Sequence, residues 1–171
     1  MELFAKPAVG GIIEKSINGI DYILIQERFK ENAEREEGLI EIPAGKIREF
    51  ENIFVALRRE IWEETGLEVV EIKGENNISV FQSNGYKVLS YVPFSCSQNL
   101  QGEYPIMVQT FICTAKGEIL DRTNETQNIR WVPLTELKEM LDNDKNDFYP
   151  MHVITLQKYL NYKLYKETEY E

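Results

Sequence analysis

A cluster of glutamates stands in residues 45 to 67, which read GKIREFENIFVALRREIWEETGL. The second half of this run mixes apolar and charged residues, lacks proline and ends at Gly66, which is typical of a helix with a left-handed C-cap. On such a helix Glu60, Glu63 and Glu64 fall at i, i+3 and i+4, so their carboxylates share one face about one turn apart. Like charges at this spacing repel one another, and a bound cation relieves the repulsion. The spacing therefore predicts a metal site.

Neighbouring residues indicate which ion and how it is held. Clustered carboxylate oxygens suit a hard divalent ion, Mg²⁺ or Mn²⁺, which also takes water and phosphate oxygens as ligands. Arg59 lies four residues before Glu63 and can hold a carboxylate in a fixed orientation. Gly45 precedes the helix and lets the backbone approach an ion closely. A solvated acidic helix face is the alternative for an isolated E-x-x-E-E, but here a glycine, an arginine and Glu51 accompany it.

The same stretch resembles the signature of the Nudix hydrolases. That signature is Gly, any five residues, Glu, any seven, Arg-Glu, an aliphatic, any one, Glu-Glu, any one, Gly and an aliphatic, and every fixed position is present here. The resemblance implies an α/β/α sandwich with a central mixed sheet, formed by residues 1–171 as a single domain. It also implies a metal-dependent enzyme with Arg59 and Glu63 in catalytic roles. The metal ligands it implies are Gly45, Glu51, Glu60, Glu63 and Glu64.

A further glutamate is expected to serve as extra ligand or general base. Many Nudix enzymes supply it from the loop before a strand that ends in a Trp-hydrophobic-x-Leu pattern, which here is Trp131 to Leu134. Glu125 lies six residues ahead of that tryptophan and is our catalytic candidate, with Glu103 and Glu118 as alternatives. A base must reach hydrogen-bond distance of the attacking water.

The resemblance implies hydrolysis of a nucleoside diphosphate linked to another group. Residues 41 to 46, EIPAGK, look like the lead-in of ADP-ribose and nucleotide-sugar pyrophosphatases, which favours that class of substrate. Those enzymes tend to carry a proline about 15 residues past the signature, where this chain has Gln82 and Ser83. A house-cleaning nucleoside triphosphate pyrophosphatase and a non-catalytic nucleotide-sensing module therefore remain as alternatives. Arg28, at the end of a predicted strand, and Tyr86, as a stacking ring, are the substrate-binding candidates.

Charge and length limit the other classes of partner. The chain has 171 residues with 29 acidic and 19 basic side chains, a formal charge of −10, which disfavours nucleic acid and anionic membranes. The sequence has no basic segment followed by an apolar core, and no apolar stretch approaches about 18 residues. We expect a cytoplasmic protein with a small-molecule nucleotide substrate. An acidic protein that binds phosphate needs a metal to reverse the local charge.

The cysteines and the histidine, which often form metal or catalytic sites, are expected to have structural roles in this chain. Cys96 and Cys113 lack metal-type spacing, so reduced structural cysteines are expected. His152 is the one histidine, and its position near the start of the last helical run predicts a capping or surface residue.

The remaining pattern predicts mixed α and β elements. Apolar runs at residues 4–15 and 20–29 predict an antiparallel hairpin, because Asn18-Gly19 between them is a strong turn signal. A charged loop follows at residues 30–38, and residues 93–105 are expected to form a long specificity loop. Further strands are predicted at 67–72, 79–82, 86–93, 106–115 and 129–132, and helices at 134–141 and 150–165.

Overall fold

The computed structural model describes residues 1–29 and 34–165, and most of its strands belong to one mixed sheet. The helices are α1 (Ile53–Thr65), α2 (Leu134–Asn143) and α3 (Pro150–Leu164). The strands are β1 (Lys6–Ile17), β2 (Ile20–Arg28), β3 (Ile40–Glu41), β4 (Ala44–Lys46), β5 (Glu68–Ile72), β6 (Ser79–Ser83), β7 (Tyr86–Ser90), β8 (Ser95–Gln98), β9 (Ile106–Lys116) and β10 (Thr126–Pro133).

Strand pairing makes the large sheet mixed. Its main path runs β10, β2, β1, β9, β5, and β1 pairs with β9 in parallel while the other pairs are antiparallel. Three short strands extend it: β3 pairs with β2, β4 with β1, and β8 with β9. Strands β6 and β7 form a separate hairpin.

Helices cover both faces of this sheet, because alternate residues of the central strands point in opposite directions. Val9 and Ile13 of β1 pack into a cluster with the apolar side of α1. Ile12, between them, packs into a second cluster with residues of α2 and α3. The predicted α/β/α sandwich around a mixed sheet is confirmed.

Local sequence signals fix the first hairpin and the limits of α1. Asn18 and Gly19 have φ angles of 52° and 78°, as a tight two-residue turn requires. The side chain of Asn52 accepts a hydrogen bond from the Phe54 N–H (2.8 Å) and caps the N-terminus of α1. Gly66 ends the helix in the left-handed conformation, with φ 79°.

Some predicted boundaries were wrong. The expected specificity loop at residues 93–105 contains β8, which pairs with β9 from Ser95↔Thr110 to Gln98↔Met107. This segment, Ser-Cys-Ser-Gln, lacks the apolar alternation of a strand, and only its distant partner makes it one. The first strand begins at Lys6 instead of residue 4, and β7 ends at Ser90 instead of residue 93. Residues 30–33 of the predicted charged loop lie outside the described part, and Glu34–Glu36 form a 3₁₀ turn.

Two further expectations concern the cysteines and the membrane. Cys113 is buried and Cys96 is exposed, and neither forms a disulfide. Burial raises the pKa of the Cys113 thiol to about 12, as for an inert packing residue. Within the described residues, none of the helices combines the length and apolarity needed to cross a bilayer.

Candidate active site

Gly45 on β4 faces the carboxylate of Glu60 on α1. β4 is held beside β1 by the pairing of Gly45 with Val9. A Cβ atom added to Gly45 would lie 2.0 Å from Oε2 of Glu60 and 2.1 Å from its Cδ. The absence of a side chain therefore lets the carboxylate of α1 lie directly against the backbone of β4.

Arg59 connects the carboxylates around this contact. Its Nε donates to Oε1 of Glu51 and its Nη2 donates to Oε2 of Glu51, both at 2.8 Å. Its Nη1 donates to Oε1 of Glu60 and, at 3.4 Å, to Oε2 of Glu63. Nη2 also donates to the backbone carbonyl of Lys46 (3.1 Å), so this guanidinium ties α1 to β4. The planar fork of a guanidinium can hold carboxylates in fixed positions, and the orienting role of Arg59 stays a prediction.

Two of these carboxylates have opposite pKa shifts. The hydrogen bonds from Arg59 lower the pKa of Glu51 to about 2, although burial acts in the other direction. Burial raises the pKa of Glu60 and outweighs the attraction of Arg59, and the negative charges of Glu63 and Glu125 add to the rise. Glu60 therefore lies in a place where an extra negative charge is unfavourable and a cation is favoured.

The Glu64 side chain is the most buried of the three carboxylates on α1. It is 4% exposed, and its Oε2 accepts hydrogen bonds from Nε2 of Gln26 (2.8 Å) and from the Ala44 N–H (3.2 Å). The Glu63 side chain is 49% exposed. Glu64 is thus much more buried than Glu63, because β2 and the start of β4 supply it with donors. That the three carboxylates bind one cation stays a prediction.

A cavity of about 480 Å³ lies in front of this network. It is bounded by the β4 segment, the exposed side of α1, the start of β1 and β9, and the start of α3. The charged residues that line it are Lys6, Arg28, Lys46, Arg48, Arg59, Glu60, Glu63 and Glu125. Five basic side chains against three carboxylates give this lining a formal charge of +2, although the whole chain carries −10. Arg28 and Arg59 are, however, paired with Glu36, Glu41 and Glu51 outside this lining, so part of that positive charge is already neutralised.

Glu125 lies in the loop before β10, at the edge of the cavity. Its backbone carbonyl accepts from the Phe29 N–H (2.8 Å), and its charge contributes to the raised pKa of Glu60. The two alternatives lie elsewhere. Glu103 lines a neighbouring cavity, and Glu118 lines neither.

The two substrate-binding candidates differ in position. Arg28 lines the cavity but is 8% exposed, and it pairs with Glu41 (2.6 Å) and Glu36 (2.9 Å) while stacking on the Tyr149 ring. Tyr86 is 74% exposed on the β6–β7 hairpin and does not line the cavity. The structure therefore brings Arg28 to the site and leaves Tyr86 apart from it.

His152 was expected to be a capping or surface residue, and the surface position was wrong. It is 1% exposed and lines the inner part of the cavity beside Tyr149, and its Nδ1 accepts a hydrogen bond from the Ile42 N–H (3.2 Å). Burial, with a smaller contribution from Arg28, lowers its pKa to about 3. His152 is therefore neutral at physiological pH and supports the turn that leads into β4.

Sequence reasoning missed several residues of the cavity. Lys46 and Arg48 closely follow Gly45 within the signature, so that position could have suggested them. Lys6, Tyr104 and Tyr149 come from distant segments and carry no local signal.

The donor types of the site fit a hard divalent ion. Glu60, Glu63 and Glu125 reach one cavity, and the bare backbone of Gly45 lies beside Glu60. In the described ranges, however, no three acidic, histidine or cysteine side chains converge as a ready-made metal cluster. Arg59 instead lies among the carboxylates and neutralises part of their charge.

Comparison with known proteins identifies the family. The NUDIX domain model matches residues 5–152, so the chain belongs to the Nudix family and is a Nudix hydrolase. Members of this family generally use divalent metals. No curated protein sequence matches the chain.

Solved structures share the fold at low sequence identity. The MutT protein of Methanosarcina mazei Go1 aligns with TM-score 0.56 and 18% identity over 99% of both chains. The Nudix domain of Shewanella oneidensis NrtR, solved with ADP ribose, aligns with TM-score 0.62 and 12% identity over 93% of this chain and 88% of that one. A C. elegans Ap4A hydrolase aligns with TM-score 0.53 and 14% identity over 91% and 95%.

Proposed function

We propose that this hydrolase uses Mg²⁺ or Mn²⁺ to cleave the diphosphate bond of a nucleoside diphosphate linked to another group. ADP-ribose or a nucleotide sugar is the favoured substrate. The observation that carries the proposal is the contact of Gly45 with Glu60 beside Arg59, at the side of a cavity that Lys6, Lys46 and Arg48 also line. Its volume of about 480 Å³ falls in the range of small-molecule sites, about 300 to 1,000 Å³.

The residues have separate tasks in this proposal. The Gly45 carbonyl and the carboxylates of Glu60, Glu63 and Glu64 would hold the ion, with Glu51 near a further one. A bound divalent ion supplies charge neutralisation of the diphosphate and a lower pKa for its water. Arg59 holds Glu51 and Glu60 in place, so the carboxylates need not reorganise when substrate enters.

The other cavity residues would bind substrate and move the proton. Lys6, Lys46 and Arg48 present positive charge to the phosphate oxygens from the rim of the cavity. Glu125 would accept the proton of the attacking water or complete the set of ligands. Arg28 would donate to the part of the substrate that enters deepest, beside Tyr149. This location is consistent with a substrate that extends beyond its diphosphate.

Two other functions are each favoured by one neighbour. The Methanosarcina mazei protein is a MutT, which favours a nucleoside triphosphate pyrophosphatase. The Shewanella oneidensis domain was solved with ADP ribose, which is compatible with a nucleotide-binding module. Hydrolysis with magnesium separates the module from both enzymes, and the products separate the enzymes from each other. For either enzyme we propose the cytoplasm as the place of action, where nucleotides are abundant.

The test is a substrate panel assayed with Mg²⁺ and with Mn²⁺. It includes ADP-ribose, ADP-glucose, NADH, diadenosine polyphosphates and the nucleoside triphosphates, with both products identified. Wild type should convert ADP-ribose or a nucleotide sugar to a nucleoside monophosphate and a sugar phosphate. Glu63→Gln should lower turnover by at least about 10³-fold, because it removes an exposed carboxylate of the site.

Glu68→Gln is the matched control. Glu68 is exposed on β5 and pairs only loosely with Lys116, at 3.6 Å, so the same chemical change leaves the cavity intact. Equal turnover in wild type and Glu63→Gln would exclude the proposed mechanism. Release of pyrophosphate from triphosphates, with diphosphate-linked sugars left intact, would instead select the MutT-like function.

A further inference from the structure

Gln26 lies in the interior of β2 between two buried carboxylates. It is fully buried, and its Nε2 donates to Oε2 of Glu64 (2.8 Å) and, more weakly, to Oε1 of Glu41 (3.3 Å). Glu64 belongs to α1 and Glu41 to β3, so one amide group joins the signature helix to the strand that leads into β4. The connection is nonlocal, because 38 residues separate Gln26 from Glu64.

Glu41, one of the two carboxylates that Gln26 contacts, is held in place by Arg28. Glu41 is 3% exposed, and its Oε2 accepts a 2.6 Å hydrogen bond from Nη1 of Arg28, which stacks on Tyr149. Gln26 is therefore anchored through Glu41 to a buried ion pair. An anchored donor constrains the rotamer of the group that it meets, and here that group is the Glu64 carboxylate.

With its N–H groups directed at Glu64 and Glu41, the Gln26 amide leaves its own oxygen without a hydrogen bond. Its Oε1 is buried and has no hydrogen-bond partner in the described structure. The reverse orientation would point that oxygen at two carboxylates, so the amide N–H groups must face them. An unsatisfied buried oxygen is destabilising, and an apolar side chain of similar size would avoid it. A position that departs from good packing chemistry in this way is typical of a functional site.

We propose that Gln26 is a positioning residue that holds the Glu64 carboxylate in the orientation for metal binding. The inference rests on the proposed function, in which Glu64 is a ligand of the ion. Gln26 itself touches neither the ion nor the substrate. Its direct contact with the proposed ligands is the hydrogen bond to Glu64.

The test measures Mn²⁺ affinity directly, by electron paramagnetic resonance of free Mn²⁺ during titration of the folded protein. Gln26→Met keeps the length of the side chain and removes both donors, so the Kd for Mn²⁺ should rise about 10- to 100-fold. Thr126→Val is the matched control. The Thr126 hydroxyl is equally buried, donates to the backbone carbonyl of the same Glu64 (3.0 Å) and pairs with the Thr123 hydroxyl (2.9 Å). Its loss removes these contacts without touching the Glu64 carboxylate. Its Kd should stay within about twofold of wild type, the scale of an indirect effect.

A double-mutant cycle tests whether the effect passes through Glu64. Glu64→Gln should weaken Mn²⁺ binding, and adding Gln26→Met to it should cause little further loss, because the carboxylate to be positioned is gone. Additive losses would overturn the inference, and so would equal shifts in Gln26→Met and Thr126→Val.

A measurement on wild type covers the case in which Gln26→Met does not fold. The side-chain amide resonances of Gln26 should shift when Mg²⁺ is added, and unchanged resonances at saturation would overturn the inference. Failure of the proposed function would be seen in wild type itself. Wild type would then bind no Mn²⁺ and cleave no diphosphate, and the inference would fail with the proposed function. Normal Mn²⁺ binding by Gln26→Met would reject the inference alone.

Discussion

Gly45→Ala tests the contact between β4 and α1 with the smallest possible change. The added Cβ would lie 2.0 Å from Oε2 of Glu60, whereas ordinary van der Waals contact begins at 3.4 Å. The carboxylate must therefore retreat by at least the difference, about 1.4 Å, and its bond from Arg59 must break or lengthen. A displacement of about 1 Å in a catalytic arrangement costs about 10²-fold in rate. We expect kcat/KM to fall about 100-fold, which corresponds to about 2.7 kcal/mol.

The fold should withstand this substitution. The atoms displaced are the end of a flexible side chain, and the backbone of Gly45 is not in the left-handed region. Gly85→Ala is the control, because Gly85 has φ +81° in the β6–β7 turn and no atom near its missing Cβ. It should lower Tm through backbone strain of about 1 to 2 kcal/mol and leave kcat/KM unchanged. Turnover of Gly45→Ala within threefold of wild type on the same diphosphate substrate would refute the role of the contact.

Three further variants test other parts of the structure. Arg59→Lys keeps the positive charge but loses the bidentate hydrogen bond to Glu51. We expect kcat/KM to fall at least about tenfold, with little change in Tm. Equal kinetics in the variant and wild type would show that the charge alone suffices. Tyr159→Phe removes a buried hydroxyl that donates to Glu14 (2.6 Å), and chemical denaturation should show a loss of about 2 kcal/mol with turnover retained. His152 has a pKa of about 3 in the folded protein against 6.5 as its reference, so below pH 6.5 the unfolded chain binds a proton that the folded chain does not. The contribution of His152 to the free energy of unfolding should therefore fall by about 2 kcal/mol from pH 6.5 to 5. His152→Asn can still accept a hydrogen bond from the Ile42 N–H, and its free energy of unfolding should depend less steeply on pH. Identical pH dependence in the variant and wild type would contradict a buried neutral ring.

Local signals predicted the parts of the fold that depend on neighbouring residues. Gly66 ends α1, and Asn18-Gly19 turns the first hairpin, because each positive φ is a property of that residue type. The alternation of Val9, Ile12 and Ile13 between two cores likewise follows from the period of a strand. These features could be read from short windows of sequence.

Other features depend on residues that are far apart in the chain. Glu64 turns inward because Gln26 of β2 offers it a donor, and no pattern within α1 contains that fact. His152 is buried because the Ile42 N–H needs an acceptor where β3 turns toward β4. Strand β8 exists through its pairing with β9, although its own sequence is polar. Spacing along the signature could place its carboxylates on a helix but could not show which of them face the cavity.

The distribution of charge bears on how a strongly acidic chain would bind the proposed phosphate substrate. The acidic excess is spread over the molecule, while the cavity gathers five basic side chains around three carboxylates. Lys6, Lys46 and Arg48 can meet phosphate oxygens at the rim, and Glu60 and Glu63 lie on the helix at its side. Arg28 and Arg59 of the lining are already paired with carboxylates outside it, which neutralises part of this positive charge. In the proposed function a divalent ion would therefore supply positive charge to the diphosphate as well as activate water, as the net charge of the chain led us to expect.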